Sequence, residues 1–180
     1  MDNFDSAIEQ FQSVLQDQIK ILGPKDPAII ATREHISVWN AQNGQPERAI
    51  EQIKEFLPDA IEIFGPDDLR VFTIRERLGI FLFQNGQFQE STEQFRSLLQ
   101  DGIRVLGPSH EKVFSIRESL AVVLAESGQI EQGIEQFESI LQDKINIFGP
   151  KHDEIEKARQ DLDQFLKEYG PKANSKKNQC

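Results

Sequence analysis

Three glutamates, Glu34, Glu76 and Glu118, stand 42 residues apart, and each directly follows an arginine, Arg33, Arg75 or Arg117. Carboxylates repeated at a fixed interval do one of two things. Facing outward, they recognise the ammonium or guanidinium groups of a basic partner through charge-assisted hydrogen bonds. Facing their own chain, they join an internal network in which the arginines pair with acidic columns such as Glu9, Glu51, Glu93 and Glu135. Such exposed pairs are individually weak. Catalysis has no comparable footing. The histidines, His35, His110 and His152, have no neighbouring cysteines and no H-E-x-x-H spacing, so no metal site is expected. The single cysteine, Cys180, is the last residue and offers no Cys–His nucleophile. The loop glycines are followed by proline and acidic residues, which spoils a phosphate cradle. The expectation is a chain without catalytic residues or cofactor, not an enzyme.

Composition narrows the partner. The 180 residues are 38% hydrophobic and 28% charged, which is enough apolar surface to fold. Thirty acidic residues against 20 Lys and Arg leave a formal charge of -10. That surface repels phosphates, so nucleic acid and membrane partners are not expected, whereas a basic protein or peptide is attracted. The opening MDNFDSAIEQF is acidic and lacks a signal-peptide apolar core. No apolar run approaches the roughly 18 residues of a membrane span. The expected location is cytoplasmic.

The elements that position these residues follow from two glycine columns. Gly23, Gly65, Gly107 and Gly149 are each followed by proline, and Gly44, Gly86, Gly128 and Gly170 lie midway between them. Glycine suits the left-handed cap of a helix and proline prevents its continuation, so each unit reads as two helices. Ile74, Leu78, Phe81 and Leu82 keep helical spacing in the first helix of a unit, and Phe88, Phe95, Leu98 and Leu99 in the second. Asp26-Pro27 is a good helix start. Residues 64–105 and 106–147 share about 19 identities at 42 positions, the mark of an internal repeat. Small residues, Ser37, Gly79 and Ala121 on first helices and Ala7, Ala49, Ser91 and Gly133 on second helices, let paired axes approach closely.

The predicted organisation is all-α: a repeat domain over 1–170 and a disordered polar tail over 171–180. The domain divides into a half-repeat 1–22, repeats 23–64, 65–106 and 107–148, and a C-terminal capping helix 149–170, about eight helices in all. Asp163 and Gln164 replace small and apolar residues on that last helix, as a solubilising cap should. The first helix keeps Phe4, Ile8, Phe11 and Leu15 without such softening, which points to a truncated repeat or a self-contact, with a dedicated partner site as the alternative. Pro58 falls inside a second helix and is expected to kink it.

Paired helices, small-residue columns and a 42-residue period punctuated by LGP or FGP resemble tetratricopeptide repeats of the kinesin-light-chain type. The resemblance covers about residues 1–170. It implies a right-handed superhelical solenoid of antiparallel helix pairs, with ligands bound on the concave face lined by first helices. The residues placed there are Glu34, Val38, Gln42, Glu76, Arg77, Ile80, Phe83, Gln84, Glu118, Val122 and Glu126. They describe an aliphatic floor with a row of carboxylates along it. Core packing between first helices is the alternative reading for Val38, Ile80 and Val122. Kinesin light chains take acidic, tryptophan-bearing peptides, and the glutamates here argue against that cargo. The expected function is a non-catalytic interaction scaffold for a basic and apolar partner segment. The alternatives are a stand-alone acidic inhibitor of a basic enzyme, of the immunity or antitoxin kind, and a module that self-assembles through its terminal helices.

Overall fold

The computed structural model describes the backbone of residues 2–177 and the side chains of residues 6–171. Among the described residues there are eight α-helices and no strand. The chain divides into two compact units, 1–87 and 88–180. The first holds α1 (Asp2–Leu22), α2 (Pro27–Gln42), α3 (Pro46–Phe64) and α4 (Leu69–Gln84). The second holds α5 (Phe88–Leu106), α6 (Glu111–Glu126), α7 (Ile130–Phe148) and α8 (Asp153–Lys177). Within each unit every helix packs on its neighbour in the chain, as short turns between helices require.

The two glycine columns end their helices by different routes. At Gly44, Gly86 and Gly128 the next residue reaches back five positions: Gln45 N–H to Asn40 O at 2.9 Å, Gln87 N–H to Leu82 O at 2.9 Å, Gln129 N–H to Leu124 O at 2.8 Å. Each glycine N–H bonds the carbonyl three residues back. This is the Schellman pattern, and the positive φ it needs is supplied by glycine.

The Gly-Pro column departs from the left-handed cap predicted for it. Gly65 and Gly149 have φ of 88° and 83° but ψ of 152° and 159°, a region open essentially to glycine alone. Proline is the reason, because it drives the preceding residue to extended ψ. The glycine N–H closes the helix behind it, on Ile61 O and Ile145 O at 2.9 Å. Its carbonyl then accepts from the residue three on, which turns the chain into the next helix.

That residue is also the next helix's cap. Asp26 accepts from Ala28 N–H and Asp68 from Arg70 N–H, both at 2.8 Å. His110 Nδ1 accepts from Lys112 N–H at 3.0 Å, and His152 Nδ1 from Glu154 N–H at 3.3 Å. Two of the three histidines thus stand in for aspartate as helix caps, with Nδ1 unprotonated.

The small-residue columns lie where the helices approach. Ser37, Ala49, Ser91 and Ala121 have no exposed surface at all. A Cβ added to Gly133 would lie 2.7 Å from the Ala121 carbonyl oxygen and 2.8 Å from the Phe165 ring. In the first unit the core is built by Ile30, Ile53, Phe56, Val71, Ile74 and Leu82. In the second, Ala121, Ile130, Phe137, Phe165 and Tyr169 cluster between α6, α7 and α8. On α1, Ile8 is buried and Phe11 meets Trp39 edge to face, with ring centroids 4.2 Å apart. The side chain of Phe4 lies outside the described residues.

Pro58 lies inside α3, on its exposed side. One feature differs from the sequence reading. Gly170 does not have positive φ, and α8 continues through Pro171 to Lys177, past the boundary drawn at 170. Lys172, Ala173, Lys176 and Lys177 are good helix formers. Cys180 lies outside the described residues. On α8, Asp163 and Gln164 are exposed.

Gly133→Val should lower stability by about 1–3 kcal/mol in urea unfolding, since a backbone carbonyl blocks the added methyls. In the same assay, His110→Ala should lose about 1 kcal/mol while His110→Asp matches or exceeds the parent.

Candidate functional site

In the first unit, α2 and α4 present parallel rows of side chains one helical turn apart. Val38 and Gln42 on α2 and Glu76, Arg77, Ile80 and Gln84 on α4 line a cavity of about 340 Å³. These are six of the eleven residues that sequence reasoning placed on a binding face. Val38 leans on the first-unit core, whereas Ile80 is 36% exposed and supplies the apolar floor. Phe83 is half-buried and does not line this cavity.

Glu34 is committed internally. Arg77 Nε lies 2.8 Å from Glu34 Oε1, an ion pair between α2 and α4 beside the groove. Two of the arginines preceding the glutamate column find aspartates: Arg33 bonds Asp59 at 2.8 Å, and Arg117 bonds Asp143 at 2.6 Å and Ser139 at 2.8 Å. Each bond crosses from a first helix to the second helix of the same unit. The cause is geometric: the aspartate lies in the last turns of the following helix, which folds back beside the arginine.

In the second unit the corresponding residues do different things. Val122 packs against the core cluster there, and Glu126 accepts a 2.7 Å hydrogen bond from the Tyr169 hydroxyl. Burial, reinforced by that bond, pushes the Tyr169 phenol well above its ordinary pKa. Glu118 lines a second cavity, of about 380 Å³, with Phe114, Lys144, Phe148, Glu154 and Asp161. Desolvation raises the Glu118 pKa, Lys144 opposes the rise, and the Asp161 carboxylate adds to it.

The contrast with Glu34 is instructive. Arg77 in the first unit and Asp161 in the second are two periods apart and hold the same place in the repeat. Glu34 therefore faces an arginine where Glu118 faces a like charge. Lys144 was not singled out in the sequence. It sits on the apolar face of α7 with Phe137, Ile140 and Phe148, in a column otherwise occupied by Gln18, Ala60 and Gly102. A lone lysine in such a column is the signal that identifies it.

Helix hairpins closed by glycine turns and packed through small residues define an α-helical repeat protein. Residues 71–111 match the family described as Tetratricopeptide repeat. Kinesin light chain TPR-like repeats from Podosopora anserina have a similar fold, with a TM-score of 0.79 and 18% identity over 98% of this chain and 83% of that one. BtubC (BKLC) from P. vanneervenii is similar with a TM-score of 0.72 and 16% identity, over 92% of this chain and 66% of that one. MamA is similar with a TM-score of 0.54 and 21% identity, over 98% of this chain and 92% of that one. No curated protein sequence matches the chain. Among the described residues no helix is long and apolar enough to cross a membrane. The fold is one used by protein-interaction scaffolds.

The Glu118 shift gives a pH test. Its folded pKa lies above the unfolded one, so its favourable contribution is present below the ordinary glutamate value of 4.5 and is lost as pH rises through the folded value. Glu118→Gln abolishes that loss. Its stability relative to the parent should therefore improve as pH rises past 4.5 and level off above the folded value in urea unfolding, and a flat difference would contradict the assignment.

Proposed function

We propose that the chain is a non-catalytic scaffold that binds a short segment of a partner protein along the α2–α4 groove. The observation that supports it is the convergence of Val38, Gln42, Glu76, Arg77, Ile80 and Gln84 on one cavity. Exposed Ile80 provides a place for an apolar anchor, and amide and charged groups around it are suited to the partner's backbone and polar side chains. The preferred segment carries Lys or Arg beside the apolar anchor. The chain's formal charge of -10 favours such a partner at long range. The Glu34–Arg77 pair leaves less of the glutamate row available than the sequence implied, so the apolar contact carries the affinity and charge governs approach.

A panel of fluorescent peptides of about ten residues tests this reading. The panel holds one central Leu or Ile and varies the flanking residues between Lys, Glu and Ser. The Lys-flanked members should bind best and weaken between about 50 and 500 mM salt. Ile80→Asp should reduce their affinity at least about tenfold while leaving the far-UV spectrum unchanged. Uniform binding across the panel, or full affinity in Ile80→Asp, would reject the groove.

A further inference from the structure

Lysine is among the residues least often buried, yet Lys144 is 7% exposed. Its ammonium carries three donors and stands at the wall of the cavity of about 380 Å³, where a ligand can reach it. What it has are Glu118 Oε1 at 3.9 Å, Glu154 Oε2 at 3.8 Å and the Phe114 ring at 5.5 Å. Both oxygens lie beyond hydrogen-bond range, and among the described residues the ammonium makes no hydrogen bond. The first unit shows the satisfied version of this position. There Gln18, three periods before Lys144, receives a 2.7 Å hydrogen bond from the Thr32 hydroxyl. Three periods after Thr32 stands Ala158, which has no side-chain acceptor.

The cavity in front of Lys144 also contains the complementary need. Glu118 is partly desolvated, and Asp161 beside it occupies the place of an arginine. Together with Glu111, Glu154 and Lys157, the wall sets two ammonium groups among four carboxylates. A free anion at Lys144 meets those carboxylates at close range. A cation at the same depth meets Lys144 itself. Among the described residues no three His, Cys, Asp or Glu side chains are grouped to hold a metal ion. A neutral group with an acceptor at one end and donors at the other satisfies both sets without adding charge.

We propose that this cavity receives the primary carboxamide of a glutamine or asparagine side chain from a protein partner, accepting from Lys144 Nζ through its oxygen and donating to Glu118 and Glu154 through its nitrogen. The source in a protein partner rests on the scaffold reading above. The volume of about 380 Å³ is at the lower end of ligand pockets, the right scale for one side chain and its adjoining backbone. The Phe148 ring, 44% exposed and stacked on His152 at 4.9 Å, offers apolar surface at the same cavity for the methylene stem.

The probe is N-acetylglutamine amide, titrated into the full chain while the lysine Cε resonances are followed by NMR. The Lys144 signal is assigned by its loss in Lys144→Met. Capped glutamine should shift it saturably with a Kd of about 1 mM, the scale set by its few heavy atoms. Capped glutamate and capped arginine should bind at least about tenfold more weakly. The double variant Lys144→Met with Glu118→Gln removes both members of this ion pair, guarding against loss of fold, and should reduce capped-glutamine affinity at least about tenfold by isothermal titration. Tighter binding of capped arginine, no saturable shift, or full affinity in the double variant overturns the proposal. Failure here with peptide binding intact at the α2–α4 groove rejects this inference alone. Loss of peptide binding there with capped glutamine still bound rejects the groove instead.

Discussion

The organisation of the chain depends on a backbone state that glycine alone adopts readily. At Gly65 and Gly149 the following proline forces an extended ψ on a residue that already has positive φ, and no side chain tolerates that combination comfortably. One glycine thus ends a helix through its N–H and starts a turn through its carbonyl. The residue three positions on caps the next helix. Because the turn is this short, consecutive helices have no option but to fold back on one another. Their small-residue columns then face, and the close approach at Gly133 and Ala121 follows.

Once the turns fix the frame, side chains at equivalent positions diverge without disturbing it. The intra-unit Arg–Asp bonds recur, holding first and second helices in register in both units. Other columns change sign. Arg77 neutralises Glu34, while Asp161 at the same place crowds Glu118, and Lys144 enters where Gln18, Ala60 and Gly102 stand elsewhere. Two cavities of comparable size therefore differ in character. One has an aliphatic floor and the other is a basin of mixed charge.

The helix count and turn positions were legible because glycine and proline act locally, on their own φ and ψ. The small columns were legible because close packing imposes one residue type at one period. The capping role of His110 and His152 was hidden. A histidine cap is readable only once the preceding glycine's carbonyl is known to receive its N–H. The aspartates that meet Arg33 and Arg117 went unread because periodicity gives the face of a helix but not which turn of its neighbour comes alongside. Six groove residues converged as column arithmetic suggested. Glu34 did not remain available, since an ion pair with the next first helix depends on the rotamer of Arg77 and not on spacing alone. Gly170 marks the limit of the periodic reading: the same letter in the same column lies within a continuous helix.

The contact between Phe11 and Trp39 has a spectroscopic consequence. Trp39 is the only tryptophan of the chain, and its indole meets the edge of an aromatic ring carried by α1. Indole emission therefore senses a single seam, the one between α1 and α2. Helical circular dichroism averages over all eight helices. Comparing the two signals during unfolding separates detachment of the first helix from loss of the rest, with no label introduced. The chain carries its own probe for whether a repeat array melts from one end or as a whole.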